Sequence, residues 1–293
     1  MVNWIVSACY TLSLGLASVA VAQEQVERQS AESTASSTPT LVEALLFQPA
    51  KFPQGNWTPR GLEFTDEELY SADGTKLHGW YCPCPNPRAN ILLLHGNAGH
   101  VASRAAWLKH LQAELRVSTF ILDYRGYGKS EGVATVAGAL ADARAAQQRL
   151  CELANIPASE ILIMGDSLGG AFAIHLAAET APRGLILQST FTSLREIAEI
   201  HFPQYSWVVP VDQLDSLEKL ANYHGPLLQS HGTADRTIPI SNGHRLFQAA
   251  QKQAPTVPRS WIAVRGAGHN NWMSPDYLAK LDEFVEQVHQ AAH

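Results

Sequence analysis

The chain has 293 residues, 46% hydrophobic and 16% charged, with a net charge of −6 at neutral pH. This is a globular composition with room for one large domain or two small ones, and with no basic run nothing argues for a nucleic-acid binder. Of the four cysteines, Cys9 lies in a leader-like segment; Cys82, Cys84 and Cys151 are an odd set that does not suggest a disulfide framework. No Cys/His cluster has zinc-ligand spacing.

Residues 1–22 read as a signal peptide or membrane anchor. Trp4 to Ala22 carries no charge and ends in Ala20-Val21-Ala22, a small-residue cleavage site. No Lys or Arg precedes the run, and at about 20 residues it is just long enough to span a bilayer, so an uncleaved anchor is the rival reading. Either way the expectation is an exported protein: periplasmic, secreted or membrane-anchored. Residues 23–40 are rich in Gln, Glu, Ser, Thr and Ala without apolar periodicity, which predicts a flexible linker. The folded domain is expected over 41–293.

Within it, Glu63 to Pro83 reads as two strands around Asp73-Gly74, a strong hairpin signal. Ala89 to Leu94 is an apolar strand running into His95-Gly96-Asn97-Ala98-Gly99. A helix over Val101 to Leu115 follows, then a strand over Ser118 to Leu122 that ends in Asp123-Tyr124-Arg125-Gly126-Tyr127-Gly128-Lys129-Ser130. Thr135 to Ala154 is an Ala-rich helix. Further strands are expected at Ile161 to Met164, Gly184 to Leu187, Pro226 to Ser230 and Arg259 to Val264, with helices at Asn242 to Lys252 and Pro275 to Ala291. Apolar strands alternating with helices predict an α/β fold with a parallel sheet covered on both faces. Residues 191–223 form an irregular insertion with Phe191, Phe202, Tyr205 and Trp207, long enough to be functional, and are expected to form a small cap over the sheet's C-terminal edge.

The chemistry centres on Gly165-Asp166-Ser167-Leu168-Gly169. A strand precedes it and Ala171 to Ala178 reads as a helix after it. Strand, tight turn and helix are the context of a nucleophile elbow, where a strained turn projects the serine hydroxyl from the sheet edge. A neutral serine needs a base, and the base an orienting acid; in proteins with this elbow the chain order is Ser, then Asp, then His. Asp235 follows the Pro226–Ser230 strand and His269 follows the last one, so Ser167, Asp235 and His269 are the expected catalytic residues. Asp123 precedes the serine in the chain, Asp166 is adjacent to it and should point away, and Asp212 and Asp215 lie in the cap. His95, His201 and His231 read as loop or packing residues. Backbone N–H groups of Asn97 and Leu168 are the expected oxyanion donors. Gly128-Lys129-Ser130 resembles the end of a phosphate-binding loop, but the glycine that pattern needs at 123 is Asp123.

Taken together, these segments resemble the α/β-hydrolases. More narrowly the chain is similar to the Bem-type subgroup of small-cap, often membrane-tethered hydrolases, relatives of the protein depalmitoylases. The resemblance rests on Leu46-Phe47-Gln48-Pro49, Asp73-Gly74-Thr75, the His95–Gly99 and Asp123–Ser130 segments, Ser167-Leu168-Gly169-Gly170, Phe191-Thr192-Ser193 and the loops of Asp235 and His269. It implies an α/β-hydrolase fold with a mostly parallel eight-stranded sheet, helices on both faces and a small cap. It further implies a serine hydrolase without cofactor or metal. The expected reaction is cleavage of a carboxylic ester or thioester of a small-molecule or lipid-like acyl substrate. A peptidase or amidase of the prolyl-aminopeptidase type and a non-catalytic hydrolase-fold binding protein are the alternatives. Nucleic acid is not an expected partner; a membrane, through residues 1–22, is.

Overall fold

The computed structural model describes residues 39–269 and 273–290. The segments read as leader or anchor (1–22) and all but the end of the predicted linker (23–40) lie outside these residues. The linker's last residue belongs to the fold instead: Thr40 caps helix α1 (Leu41–Leu46), its hydroxyl accepting from the Glu43 N–H while the Glu43 carboxylate accepts from the Thr40 N–H. The other Glu43 oxygen accepts the Val136 N–H at 2.7 Å, which fixes α1 to the start of a later helix.

Strands β2 (Thr65–Tyr70) and β3 (Lys76–Cys82) form the expected antiparallel hairpin. Around them come β1 (Gln48–Pro49), β4 (Asn90–Leu94), β5 (Ala98–Gly99), β6 (Ser118–Asp123), β7 (Leu162–Asp166), β8 (Gly184–Gln188), β9 (Leu227–Gly232) and β10 (Arg259–Val264). Eight of these make one sheet in the order β10-β9-β8-β7-β4-β6-β3-β2, parallel from β10 to β6 and antiparallel at β3 and β2. The short pair β1 and β5 makes a separate parallel sheet that the sequence did not announce.

The helices are α2 (Ala105–Ala113), α3 (Val136–Ala154), α4 (Leu168–Thr180), α5 (Leu194–His201), α6 (Ser216–Leu220), α7 (Ile240–Gln253) and α8 (Pro275–Gln290). The predicted helix over 101–115 starts as a tighter turn, Val101–Arg104, before α2. Strand alternation divides the core. Leu92, Leu94, Ile163 and Leu187 pack with α3, α4 and α7, whereas Ile91, Leu93, Met164 and Ile186 pack with α2 and α8. Helix α4 is mostly apolar and buried from Leu168 to Ala177.

The cap is more regular than its sequence suggested. It consists of α5, a tight helical segment Pro203–Val208, and α6. Leu194, Val209, Leu214, Leu220 and Tyr223 seat it on the core. Asn242 anchors its base, its Oδ1 accepting from the Thr192 N–H and hydroxyl at 3.1 and 2.9 Å. Among the described residues no helix is long and apolar enough to cross a membrane.

One buried charge network ties the hairpin to the rest. The Arg125 guanidinium donates to Asp142 at 2.8 Å, to Ser71 at 3.1 Å and to Asp73 at 2.7 Å. Arg125 holds the Asp73 carboxyl down at about 2, while burial pushes the Asp142 carboxyl up against the pull of the same guanidinium. Removing one partner of a buried pair leaves the other uncompensated. Arg125→Met is therefore expected to destabilise the fold by about 3–5 kcal/mol in urea unfolding; a loss below about 1 kcal/mol would show that Asp142 is satisfied by other means.

Candidate active site

The parallel strands all end on one edge, and four of those ends build the site. Ser167 follows β7, Asp235 follows β9, His269 follows β10, and the His95–Asn97 loop follows β4. Crevices outside the carboxyl ends of parallel strands are where ligands bind in open α/β sheets.

The turn at Ser167 is strained in the expected way. Its φ is +54° and ψ −120°, a region that non-glycine residues seldom occupy. Close approach makes the flanking glycines obligatory. A Cβ on Gly165 would lie 2.4 Å from the Gly169 carbonyl oxygen, and one on Gly169 would lie 2.0 Å from that of Leu94. Three bonds hold the strained residue. The Ser167 N–H donates to the Gln188 carbonyl at 2.9 Å, and the Ser167 carbonyl accepts from the Thr190 hydroxyl at 2.8 Å and the Gly170 N–H at 3.0 Å.

The loops after β9 and β10 are stitched together. Thr233 and Ala234 N–H groups donate to the Val264 and Ala267 carbonyls at 3.0 and 2.9 Å, and the Gly266 N–H donates to the Thr233 hydroxyl at 2.8 Å. The stitching brings His269 between Ser167 and Asp235. His269 Nε2 lies 2.9 Å from Ser167 Oγ, and Nδ1 lies 2.8 Å from Asp235 Oδ2. Oδ1 of Asp235 accepts from the Thr237 and Ile238 N–H groups, both at 2.9 Å. The carboxylate is fully buried. Burial alone would raise its pKa, but His231, His269 and the Ile238 N–H outweigh that and hold it well below the ordinary carboxylate range. Asp235 therefore stays an anion, able to orient the Nδ1–H tautomer and to stabilise an imidazolium. An Nε2 lone pair then faces the serine hydroxyl, which is the arrangement that can withdraw its proton.

The second half of the site is the β4 loop. Its carbonyls and side chains are clamped from several elements. Tyr124 and Tyr127 hydroxyls donate to the carbonyls of His95 (3.1 Å) and Asn97 (2.7 Å). The Gln48 N–H of β1 also donates to the Asn97 carbonyl, at 3.0 Å, and the Asn97 amide donates to the Leu46 carbonyl at 3.0 Å. His95 Nδ1 donates to the Gly96 carbonyl at 2.7 Å, and burial lowers the His95 pKa to about 4, so the ring is a neutral donor there. Among the described residues neither the Asn97 N–H nor the Leu168 N–H, at the first position of α4, donates to a protein acceptor.

The remaining candidates from the sequence have other partners. Asp123 accepts from the Val101 and Lys129 N–H groups and bonds His78 Nδ1 at 2.8 Å. Asp215 caps α6, and Asp212 lies exposed on the cap. His201 Nε2 bonds the Thr237 carbonyl at 2.7 Å, which fastens the end of α5 to the Asp235 loop. His231 is more than packing. Its Nε2 donates to the Ile238 carbonyl at 2.8 Å and lies 3.4 Å from Asp235 Oδ2. The sequence reading does not include the two tyrosines and His231 as site residues; the signal available is the place of Tyr124 and Tyr127 in the turn leaving β6 and of His231 at the C-terminal end of β9. Among the described residues no group of three His, Cys, Asp or Glu side chains could hold a metal ion.

Comparison with known proteins agrees with this architecture. Residues 85–214 match the family model described as serine aminopeptidase, S33. An uncharacterized protein of Mycobacterium tuberculosis is 35% identical over 223 residues, covering 74% of this chain and 76% of its own. The human alpha/beta hydrolase domain-containing protein 17B is 31% identical over 219 residues, covering 74% and 73%. The chain belongs to the α/β-hydrolase superfamily. An esterase of Pyrococcus furiosus has the same fold at 20% identity, with a TM-score of 0.67 over 83% of this chain and 98% of its own. The protein is thus a hydrolase of the α/β type, with the mostly parallel eight-stranded sheet that the resemblance implied.

In this hydrolase the elbow rests on the absence of side chains at two positions. Gly169→Ala puts a methyl into the Leu94 carbonyl, which backbone shifts alone can relieve. Such overpacking is expected to cost about 1–3 kcal/mol or more in urea unfolding. An unchanged midpoint would mean that α4 can move off β4 freely.

Proposed function

We propose that the protein is a serine hydrolase that cleaves a carboxylic ester or thioester through an acyl-enzyme. The observation that carries this reading is the Ser167–His269–Asp235 relay, with contacts of 2.9 and 2.8 Å in the order a nucleophile, a base and an orienting acid require. In this mechanism Ser167 Oγ attacks the acyl carbon while His269 Nε2 takes the hydroxyl proton. The carbonyl electron pair moves onto oxygen, which the Asn97 and Leu168 N–H groups receive. The tetrahedral intermediate collapses, the C–O or C–S bond breaks, and the leaving group takes the proton from His269. Water, activated by the same imidazole, then releases the acid and restores Ser167.

The cap supports an apolar acyl group. Tyr223 and Phe191 are buried in the core, whereas Phe202, Tyr205 and Trp207 are not; Trp207 is 71% exposed. Exposed aromatic and aliphatic side chains grouped in one short segment mark a surface for an apolar ligand more often than chance exposure. Their segment follows His201, whose bond to Thr237 keeps this end of the cap beside the Asp235 loop. Amide cleavage of the aminopeptidase type is the less supported reading. Such an enzyme needs a free carboxylate for the substrate's ammonium group. Of the cap carboxylates, Glu196 is bound to Arg245 at 2.6 Å and to the Thr192 hydroxyl and Asp215 caps a helix, which leaves the exposed Asp212 for that contact.

The test is a series of p-nitrophenyl esters and matched p-nitroanilides with the wild type and Ser167→Ala. Ester turnover should fall by at least about 10³-fold in the variant with the fold intact, and rise in the wild type from acetyl to octanoyl. Undiminished ester hydrolysis by Ser167→Ala, or anilides cleaved faster than esters, would contradict the reading.

A further inference from the structure

We propose that Asp166 is a positioning residue that locks the two arms of the oxyanion site to each other through the Gly96 N–H. The proposal rests on the reading of Ser167 as nucleophile.

The two arms come from separate segments. Asn97 lies in the loop after β4, and Leu168 begins the helix after β7. Each arm is braced against its own surroundings, yet among the described residues one hydrogen bond runs between the 95–100 loop and the 165–170 turn: the Gly96 N–H donates to Asp166 Oδ2 at 3.1 Å. The contact is tight. A Cβ at position 96 would lie 3.0 Å from that oxygen and 3.3 Å from Ser167 Cβ, so the loop backbone rests directly on the elbow.

Gly96 is where an anchor is needed. The direction of the Asn97 N–H depends on the torsions of Gly96, the residue type with the greatest backbone freedom. The carbonyl on its C-terminal side is held by His95 Nδ1 at 2.7 Å. The N–H on its N-terminal side is held by Asp166. With both peptide planes clamped, the torsions of Gly96 are fixed, and so is the aim of the Asn97 N–H.

A charged acceptor makes the stronger bond to an amide, but a buried anion beside an oxyanion site opposes the charge that develops there. Asp166 is 5% exposed, and burial pushes its carboxyl up against the pull of Arg104 and the Gly96 N–H. Arg104 Nη2 stands 3.7 Å from Oδ2 and offsets the anion without displacing the amide. The acceptor geometry, more than the charge, is therefore the contribution to catalysis. Asparagine keeps the acceptor, and leucine, with the same branched skeleton, does not.

The experiment compares wild type, Asp166→Leu and Asp166→Asn as full chains. Readouts are kcat and KM on one p-nitrophenyl ester, and affinity for an aryl boronic acid, which forms a tetrahedral anion on the serine and so reports the oxyanion site. Asp166→Leu should lose about 10–100-fold in kcat with KM within about twofold, and lose boronate affinity in parallel. Asp166→Asn should stay within about fivefold of wild type on both. Thermal midpoints accompany both variants; if the leucine variant does not fold, Asp166→Ser, too short to reach Gly96, takes its place. Retained kcat and boronate affinity without the acceptor, or an asparagine variant as impaired as leucine, would overturn the proposal. A wild type that binds no boronate would remove the reading of Ser167 itself, and the proposal with it.

Discussion

The close approach of the β7–α4 turn to β4 is the constraint on which the site depends. With no side chain at Gly165 and Gly169, α4 can start against the Leu94 carbonyl, and Ser167 is left at positive φ with its hydroxyl above the sheet edge. The cost of that backbone is met by the Gln188 and Thr190 bonds from β8 and the residues after it. The serine is thus held by its neighbours in the sheet and not by its own local preference.

Segments that looked like separate motifs converge on the loop opposite. Leu46 and Gln48, at the entry to the domain, bond the side chain and carbonyl of Asn97. Tyr124 and Tyr127, from the turn after β6, bond the carbonyls on either side of Gly96. Asp123 holds the start of the following turn through the Val101 N–H. These residues touch no reacting atom. Most of them occupy the carbonyls of the loop, and the Asn97 N–H is left without an acceptor among the described residues, the pre-organisation that the proposed oxyanion role requires. The separate β1–β5 pair has the same use, since its register places Gln48 opposite Ala98.

Periodicity and chain order made the fold and the relay legible in the sequence. The continuous apolar run Ile91-Leu92-Leu93-Leu94 marks a strand buried on both faces, and Gly-x-Ser-x-Gly between strand and helix marks the elbow. Asp235 and His269 could be chosen because each follows a strand end in the right order. Less could be read where contact depends on long-range packing. The hydroxyls of Tyr124 and Tyr127 are ordinary aromatic positions until β6 is set beside β4. The Asp166 carboxylate accepts from the Gly96 N–H, a contact of which the sequence gives no sign. The cap read as irregular because its short helices are stabilised by packing of Leu194, Leu214 and Leu220 and by Asn242, with little support from periodicity.

We propose that His269 and Asp235 activate Ser167 as a nucleophile. Covalent labelling with a fluorophosphonate, read by peptide mass spectrometry, tests this most directly. A single adduct on Ser167 is expected, formed at least about 100-fold more slowly in Asp235→Asn, where the imidazole loses its orienting anion. Absence of the adduct from the wild type, or labelling of Asp235→Asn at the wild-type rate, would contradict it.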